Sequence, residues 1–194
     1  NQDFKLGMLM IDVFSKYMTV IPMKSKAEGN IASAILEGFQ KMDGHPKILY
    51  TDDEPALSTI AMKNYFKEKD IKHVVTRSYA HFAERAIRTF KDSLYKRVDN
   101  AKDDNVQWVD FVFEILLTYN NKLVHSTTGM TPYDSGRRSN AVNPSESTPE
   151  NEKSGMYWGA PTWFVAGTNT HVRSEGLSLS DPEETTEMFS DNAP

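Results

Sequence analysis

The chain has no cysteine among its 194 residues. That excludes a disulfide-stapled scaffold, a cysteine nucleophile and any thiolate metal site. It also has no apolar run near the roughly 20 residues that a membrane-crossing helix needs. The longest runs, residues 6–11 and 112–117, are strand- and helix-sized, so no membrane partner is expected. Residues 8–13 are apolar but have no basic leader, and no secretory signal is read there. A positive balance is missing too: 22 Lys and Arg face 27 Asp and Glu, for a net charge of −5. No internal repeat is evident.

The charge deficit is not evenly spread. Residues 141–194 hold only Lys153 and Arg173 against nine carboxylates, a local balance of −7, while residues 1–140 carry +2. Residues 63–97 hold ten Lys and Arg against four Asp and Glu, an excess of six. The chain is therefore a locally basic body with an acidic tail. A body of about 140 residues is one ordinary domain with a sizeable core.

Periodicity divides that body into elements. Residues 6–23 read as two β runs around a turn at Asp12–Lys16, the first almost continuously apolar, as in a strand buried on both faces. Residues 25–40 read as a helix with Ser25 as N-cap and Glu28 three positions on. Ile31, Ala34, Ile35 and Phe39 share its inner face. Residues 46–50 form a short strand that runs into the polar break at Thr51–Pro55. A helix over 59–69 follows, with Ile60, Tyr65 and Phe66 as core candidates. A further strand covers 71–75. A long amphipathic helix spans 80–100 with Ala83, Ile87, Phe90 and Leu94 inward. Another helix spans 106–120 with Trp108, Phe111, Ile115 and Tyr119 on one stripe. A polar loop covers 121–132, and a short segment ends at Arg138. A hairpin followed by strands alternating with helices predicts an α/β domain with a mixed sheet. Residues 139–155 are Pro/Ser/Glu-rich and read as a linker. Residues 156–194 read as a short aromatic island over 156–165, a small hairpin or docking segment, and an acidic, disordered tail.

Two carboxylates stand out by position. Asp52 follows the end of a strand, the edge where sites gather in open α/β sheets. Glu84 opens the long helix, ahead of Arg85, Arg88 and Lys91. One helix and one strand separate the two, so the chain can return to the same edge. Oxygen ligands without thiolates suit Mg²⁺ or Mn²⁺, and basic neighbours suit phosphates. The bland readings are a turn or cap role for Asp52, a dipole role for Glu84 and a merely solvated basic face.

Four blocks in order link these features: LMIDVFSKYMTVIPMKSK, ILYTDDEPAL, AERAIRTFKDSL and YNNKLVHSTTGMTPYD. Together they resemble the catalytic core of the DDE integrases of retroviruses, long-terminal-repeat retrotransposons and Polinton/Maverick elements, looking closest to the last. The resemblance covers residues 6–138. It implies an RNase H-like fold, a mixed five-stranded sheet flanked by helices, with its first strand incomplete here. It implies metal-dependent phosphoryl transfer on DNA, that is, 3′-end processing and strand transfer for a mobile element. Asp52 matches the second catalytic, metal-binding carboxylate and Glu84 the third. Arg85, Arg88 and Lys91 match a DNA-facing basic helix surface. Two Mg²⁺ or Mn²⁺ ions are implied, with element ends and target DNA as partners, a homo-oligomeric state and a nuclear location. His125, Gly129 and Pro132 match an H-S-x-x-G-x-x-P loop, the glycine and proline as turn-formers and His125 as a capping or packing residue.

Departures from the family pattern accompany the match. The first catalytic Asp belongs on a strand upstream of the block that holds Asp12. Asp12 is thus expected to be a turn or strand-end residue, and Asp3 a poor substitute. The chain, which begins with Asn, is expected to start one strand late and to lack both a preceding zinc module and a full C-terminal DNA-binding domain. Glu54 stands where the family places a glycine, and its side chain is expected to crowd the site. Phe82 and His81 replace small polar residues before Glu84. The alternative reading is a catalytically decayed RNase H-like module that binds DNA or protein.

Overall fold

The computed structural model describes residues 4–76, 81–101, 105–141 and 162–169. It opens with an antiparallel hairpin of β1 (Leu6–Asp12) and β2 (Met18–Met23), with Leu6 opposite Met23 and Ile11 opposite Met18. β1 is apolar at both parities because helices cover both faces: Met8 and Met10 enter one core, Leu9 and Ile11 the other. A side chain holds the turn. Asp12 Oδ2 accepts a hydrogen bond from the Ser15 backbone N–H at 2.8 Å and another from the Ser15 hydroxyl, as Asp residues do in turns. Asp12 thus has the strand-end role expected of it.

α1 (Glu28–Lys41) begins later than expected. Ala27 precedes it, and Ser25 Oγ accepts from Asn30 Nδ2 at 2.8 Å instead of capping the helix. Its inner face is the expected one, with Ile31, Ala34, Ile35 and Phe39 buried. Gly38 lets the helix approach β1, because a Cβ there would run into Met10 Sδ. β3 (Ile48–Thr51) leads through a 3₁₀ turn, Pro55–Ser58, to α2 (Ile60–Glu68). Thr59 caps α2, its Oγ1 accepting from Met62 N–H at 3.3 Å. Phe66 is buried as expected, but Ile60 is 79% exposed. It occupies the first helical position, and Met62 takes the inward place.

β4 (Lys72–Val75) lies parallel to β3. α3 (His81–Asp99) buries Ala83, Ala86, Phe90 and Leu94, with Ile87 only partly covered. The helix expected from 106 divides into a 3₁₀ turn, Trp108–Phe111, and α4 (Val112–Lys122). Trp108, Ile115 and Tyr119 are buried on its stripe, and the Trp108 indole N–H donates to Phe4 O at 2.7 Å. Gly129 turns the following loop with φ +64. Pro132 opens α5 (Pro132–Ala141), a full helix running past the expected end at 138.

The larger departure concerns the segment placed outside the core. Thr162–Asn169 is a strand, β5, and it lies in the middle of the sheet, whose order is β2-β1-β5-β3-β4. β5 runs antiparallel to β1 and parallel to β3. The core is therefore not confined to residues 1–138: the end of the expected aromatic island, residues 162–165, belongs to β5, and residues 156–161 lie outside the described residues. Trp163 and Val165 enter the core under α1 and α2, while Phe164 enters the core under α3 and α4. Burying large apolar side chains on both faces favours a central position over an edge one. The rest of the expected linker and tail, residues 142–161 and 170–194, lies outside the described residues.

Candidate active site

β3 ends at Thr51, and Asp52 follows it, exposed to solvent. Thr51 is buried; its hydroxyl donates to the Asp52 carbonyl at 2.8 Å and lies 2.9 Å from His73 Nε2. Burial, and secondarily the charge of Lys63, hold the His73 pKa below its ordinary value. The backbone carrying Asp52 is thus tied to β4 from below. Asp52 borders a small cleft shared with Lys26, Leu57, Val165 and Glu54. Glu54 thus lines the same cleft as Asp52.

Glu84 lies in the first turn of α3, one residue after buried Ala83, and is exposed. Arg85 and Arg88 are exposed along the same helix, and Lys91 is half-buried. A basic residue not singled out in the sequence joins them. Lys16, in the β1–β2 turn, has its pKa lowered by burial and by the charge of Arg85, against an opposing effect of Asp12. The start of α3 therefore overlooks the hairpin turn. Only spatial proximity reveals Lys16, because the Phe14-Ser15-Lys16 string reads as a turn.

His125 is a packing residue. Its ring meets Tyr119 edge-on with centroids 5.2 Å apart, and burial, then the charge of Lys16, lowers its pKa. The same enclosure pushes the Tyr119 phenol up to about 12.

The strand register locates Asp12 relative to Asp52. Asp12 pairs with Trp163, while Thr51 pairs with Val165, so the residue level with Asp52 on β5 is Ala166. At a rise of about 3.3 Å per residue, Asp12 is roughly 10 Å further down the sheet. Asp12 is not beside Asp52, which agrees with its turn role.

These residues fit a divalent ion only in part. Among the described residues no three His, Cys, Asp or Glu side chains gather as a metal-holding group. Two carboxylates with a nucleic-acid phosphate suit one hard cation. They are too few for two, because doubly charged ions about 4 Å apart repel strongly unless several anionic ligands lie between and around them. The two-ion arrangement does not fit the residues present.

The chain is 31% identical over 124 residues to the retrovirus-related Pol polyprotein from transposon 297 of Drosophila melanogaster, a match that covers 63% of this chain and 11% of the polyprotein. No family model matches it. Its fold is shared with retroviral integrase catalytic cores. The HTLV-2 integrase core in complex with magnesium superposes with a TM-score of 0.58 at 23% identity, covering 66% of this chain and 82% of that one. A chain of the simian T-cell lymphotropic virus intasome in complex with PP2A regulatory subunit B56 gamma gives 0.63 at 20% identity, covering 76% and 55%. The BIV integrase core gives 0.59 at 20% identity, covering 71% and 89%. The mixed five-stranded sheet flanked by helices is thus RNase H-like, and the DDE-integrase resemblance read from the four sequence blocks stands.

Proposed function

We propose that this chain is the catalytic-core unit of a mobile-element integrase and acts in DNA integration. The observation that carries this reading is the match to a retrotransposon Pol polyprotein on a chain with the integrase-core fold. It favours an integrase over a decayed binding module. Asp52 and Glu84 are the metal-facing carboxylates, and Arg85, Arg88 and Lys91, with Lys16, form the face that meets DNA. A bound divalent cation supplies a Lewis acid for phosphoryl transfer. The residues of this chain position the DNA: exposed guanidinium groups on successive turns of α3 pair with backbone phosphates. The partners are element ends and target DNA, and the working unit is a homo-oligomer in the nucleus. The HTLV-2 core, described in dimeric and trimeric forms, supports the oligomeric part.

The test is binding of the full chain to a fluorescent duplex end, followed by anisotropy without metal. Affinity falls steeply with salt, and Arg85→Ala with Arg88→Ala lowers the logarithmic salt slope by about two, one for each phosphate left without its guanidinium partner. Binding indifferent to both substitutions would remove α3 from the DNA face and this reading with it.

A further inference from the structure

The basic excess of residues 63–97 does not form one surface. α2 packs Met62 and Phe66 into the core on the α1 side of the sheet, whereas α3 packs Ala83, Ala86 and Phe90 into the core on the other side. The sheet therefore separates the lysines of α2 from the arginines of α3. Lys63 and Lys67 stand one turn apart on α2, on one face of the helix. With Lys47, just ahead of β3, and Lys72, at the start of β4, they line an open groove of about 740 Å³. All four lysines are exposed. The carboxylate on the groove, Asp70, pairs with Lys47 at 2.9 Å, and both side chains stay largely in solvent. A surface pair of that kind holds little energy. Among the described residues no ion pair engages Lys63, Lys67 or Lys72. Four lysines against one carboxylate leave a local excess of three.

We infer that this groove is a second site for the phosphate backbone of duplex DNA, on the opposite face of the sheet from α3. The inference rests on DNA as the partner in the proposed function and adds a surface which that function does not use. The lining residues select the ligand. Lysines are compact, strongly hydrated point charges that meet backbone phosphates. No Arg, Asn or Gln lines the groove, and these are the side chains that read base edges through paired hydrogen bonds. Binding is therefore indifferent to sequence. The groove also offers no free ring for a base to stack on. Phe66 is 2% exposed and meets His73 with ring centroids 4.9 Å apart. His73 is itself half-buried, with Nε2 2.9 Å from the Thr51 hydroxyl. Single strands draw much of their affinity from base stacking, so the duplex is favoured. β4 is an edge strand, and guarding that edge against a further strand needs Lys72 alone. Lys63 and Lys67 lie off the edge, on α2.

The test is a saturating titration of a fluorescent duplex with the full chain at low salt and without metal, read by anisotropy. The groove variant carries Lys63→Gln, Lys67→Gln and Lys72→Gln. The α3 variant carries Arg85→Ala and Arg88→Ala. A charge-matched control carries Lys24→Gln, Lys41→Gln and Lys122→Gln, at exposed positions outside the groove and off α3. Roughly two duplexes per chain are expected for wild type and for the control, and about one for the groove variant. Adding the groove substitutions to the α3 variant is expected to lower its logarithmic salt slope by about three. A groove variant with wild-type stoichiometry would overturn the inference. So would an equal loss in the control, or tighter binding of a single strand than of a duplex by the α3 variant. An α3 variant that binds like wild type, beside a groove variant that loses one duplex, would sink the α3 reading and leave the groove standing, so the two failures are told apart.

Discussion

The β1–β2 hairpin and the β5 strand occupy adjacent places in one sheet and are built by opposite means. The hairpin forms from neighbours in the chain, closed by a five-residue turn that Asp12 and Ser15 pin with local hydrogen bonds. β5 reaches its slot from far along the chain and is held by what it buries. Trp163 lies 5.6 Å from Phe39 and Phe164 stacks on Tyr50 at 4.8 Å, one ring pair on each face. The hairpin would keep its own pairing if β5 left. The sheet would not, because β3 and β4 reach β1 and β2 only through β5. Local pairing costs little loop entropy, and a distant strand must offset that cost with buried area.

The contrast breaks most sharply at β5. Trp163→Ala or Phe164→Ala is expected to cost about 3–5 kcal/mol, read as a lower urea midpoint of the whole chain. An unchanged midpoint would mean that the strand does not hold the two halves together. Asn120 is the hairpin's own long-range tie. Its side chain accepts from Met18 N–H at 3.0 Å and donates to Met18 O at 2.8 Å, both buried. Asn120→Ala is expected to cost about 1–3 kcal/mol for each backbone group left without a partner. Equal stability of Asn120→Ala and wild type would make the hairpin self-sufficient.

Smaller effects sharpen the local side. Asp12→Ala removes the turn's acceptor and is expected to cost about 1 kcal/mol, while metal and DNA binding stay unchanged. A large loss of DNA binding would return Asp12 to the site. The smallest effect is on pH. Burial lowers the pKa of both His73 and His125, so the unfolded chain binds more protons than the folded one just below the ordinary histidine value. Their contribution is present above about pH 6.5 and is lost as pH falls through the folded values. The melting temperature should therefore decline on acidification from pH 7, and His73→Asn should flatten the decline. Tyr119 works in the other direction: its neutral form is favoured, and its contribution is lost as pH rises from 10 through about 12.

Much of the architecture was legible because it is local. Apolar alternation marked β1 and β2, helical spacing marked the buried faces of α1 and α3, and Gly129 and Pro132 marked the loop into α5. The misses have separate causes. Ile60 looked apolar enough for the core, yet the first position of a capped helix faced outward. Ser25 had the spacing of a capping box, but the chain stayed extended until Ala27. Lys16 joined the basic face through space alone.

By itself, then, the sequence determined the element types, the two carboxylates at recognisable positions, the basic helix surface and the turn role of Asp12, since propensity, spacing and motif order act within short stretches. Only the tertiary structure decided which segment fills the centre of the sheet and which residue stands level with Asp52. A strand of β-branched and aromatic residues reads the same wherever it docks. Its slot is chosen by two cores that no local pattern contains, and the register they impose sets Ala166 level with Asp52.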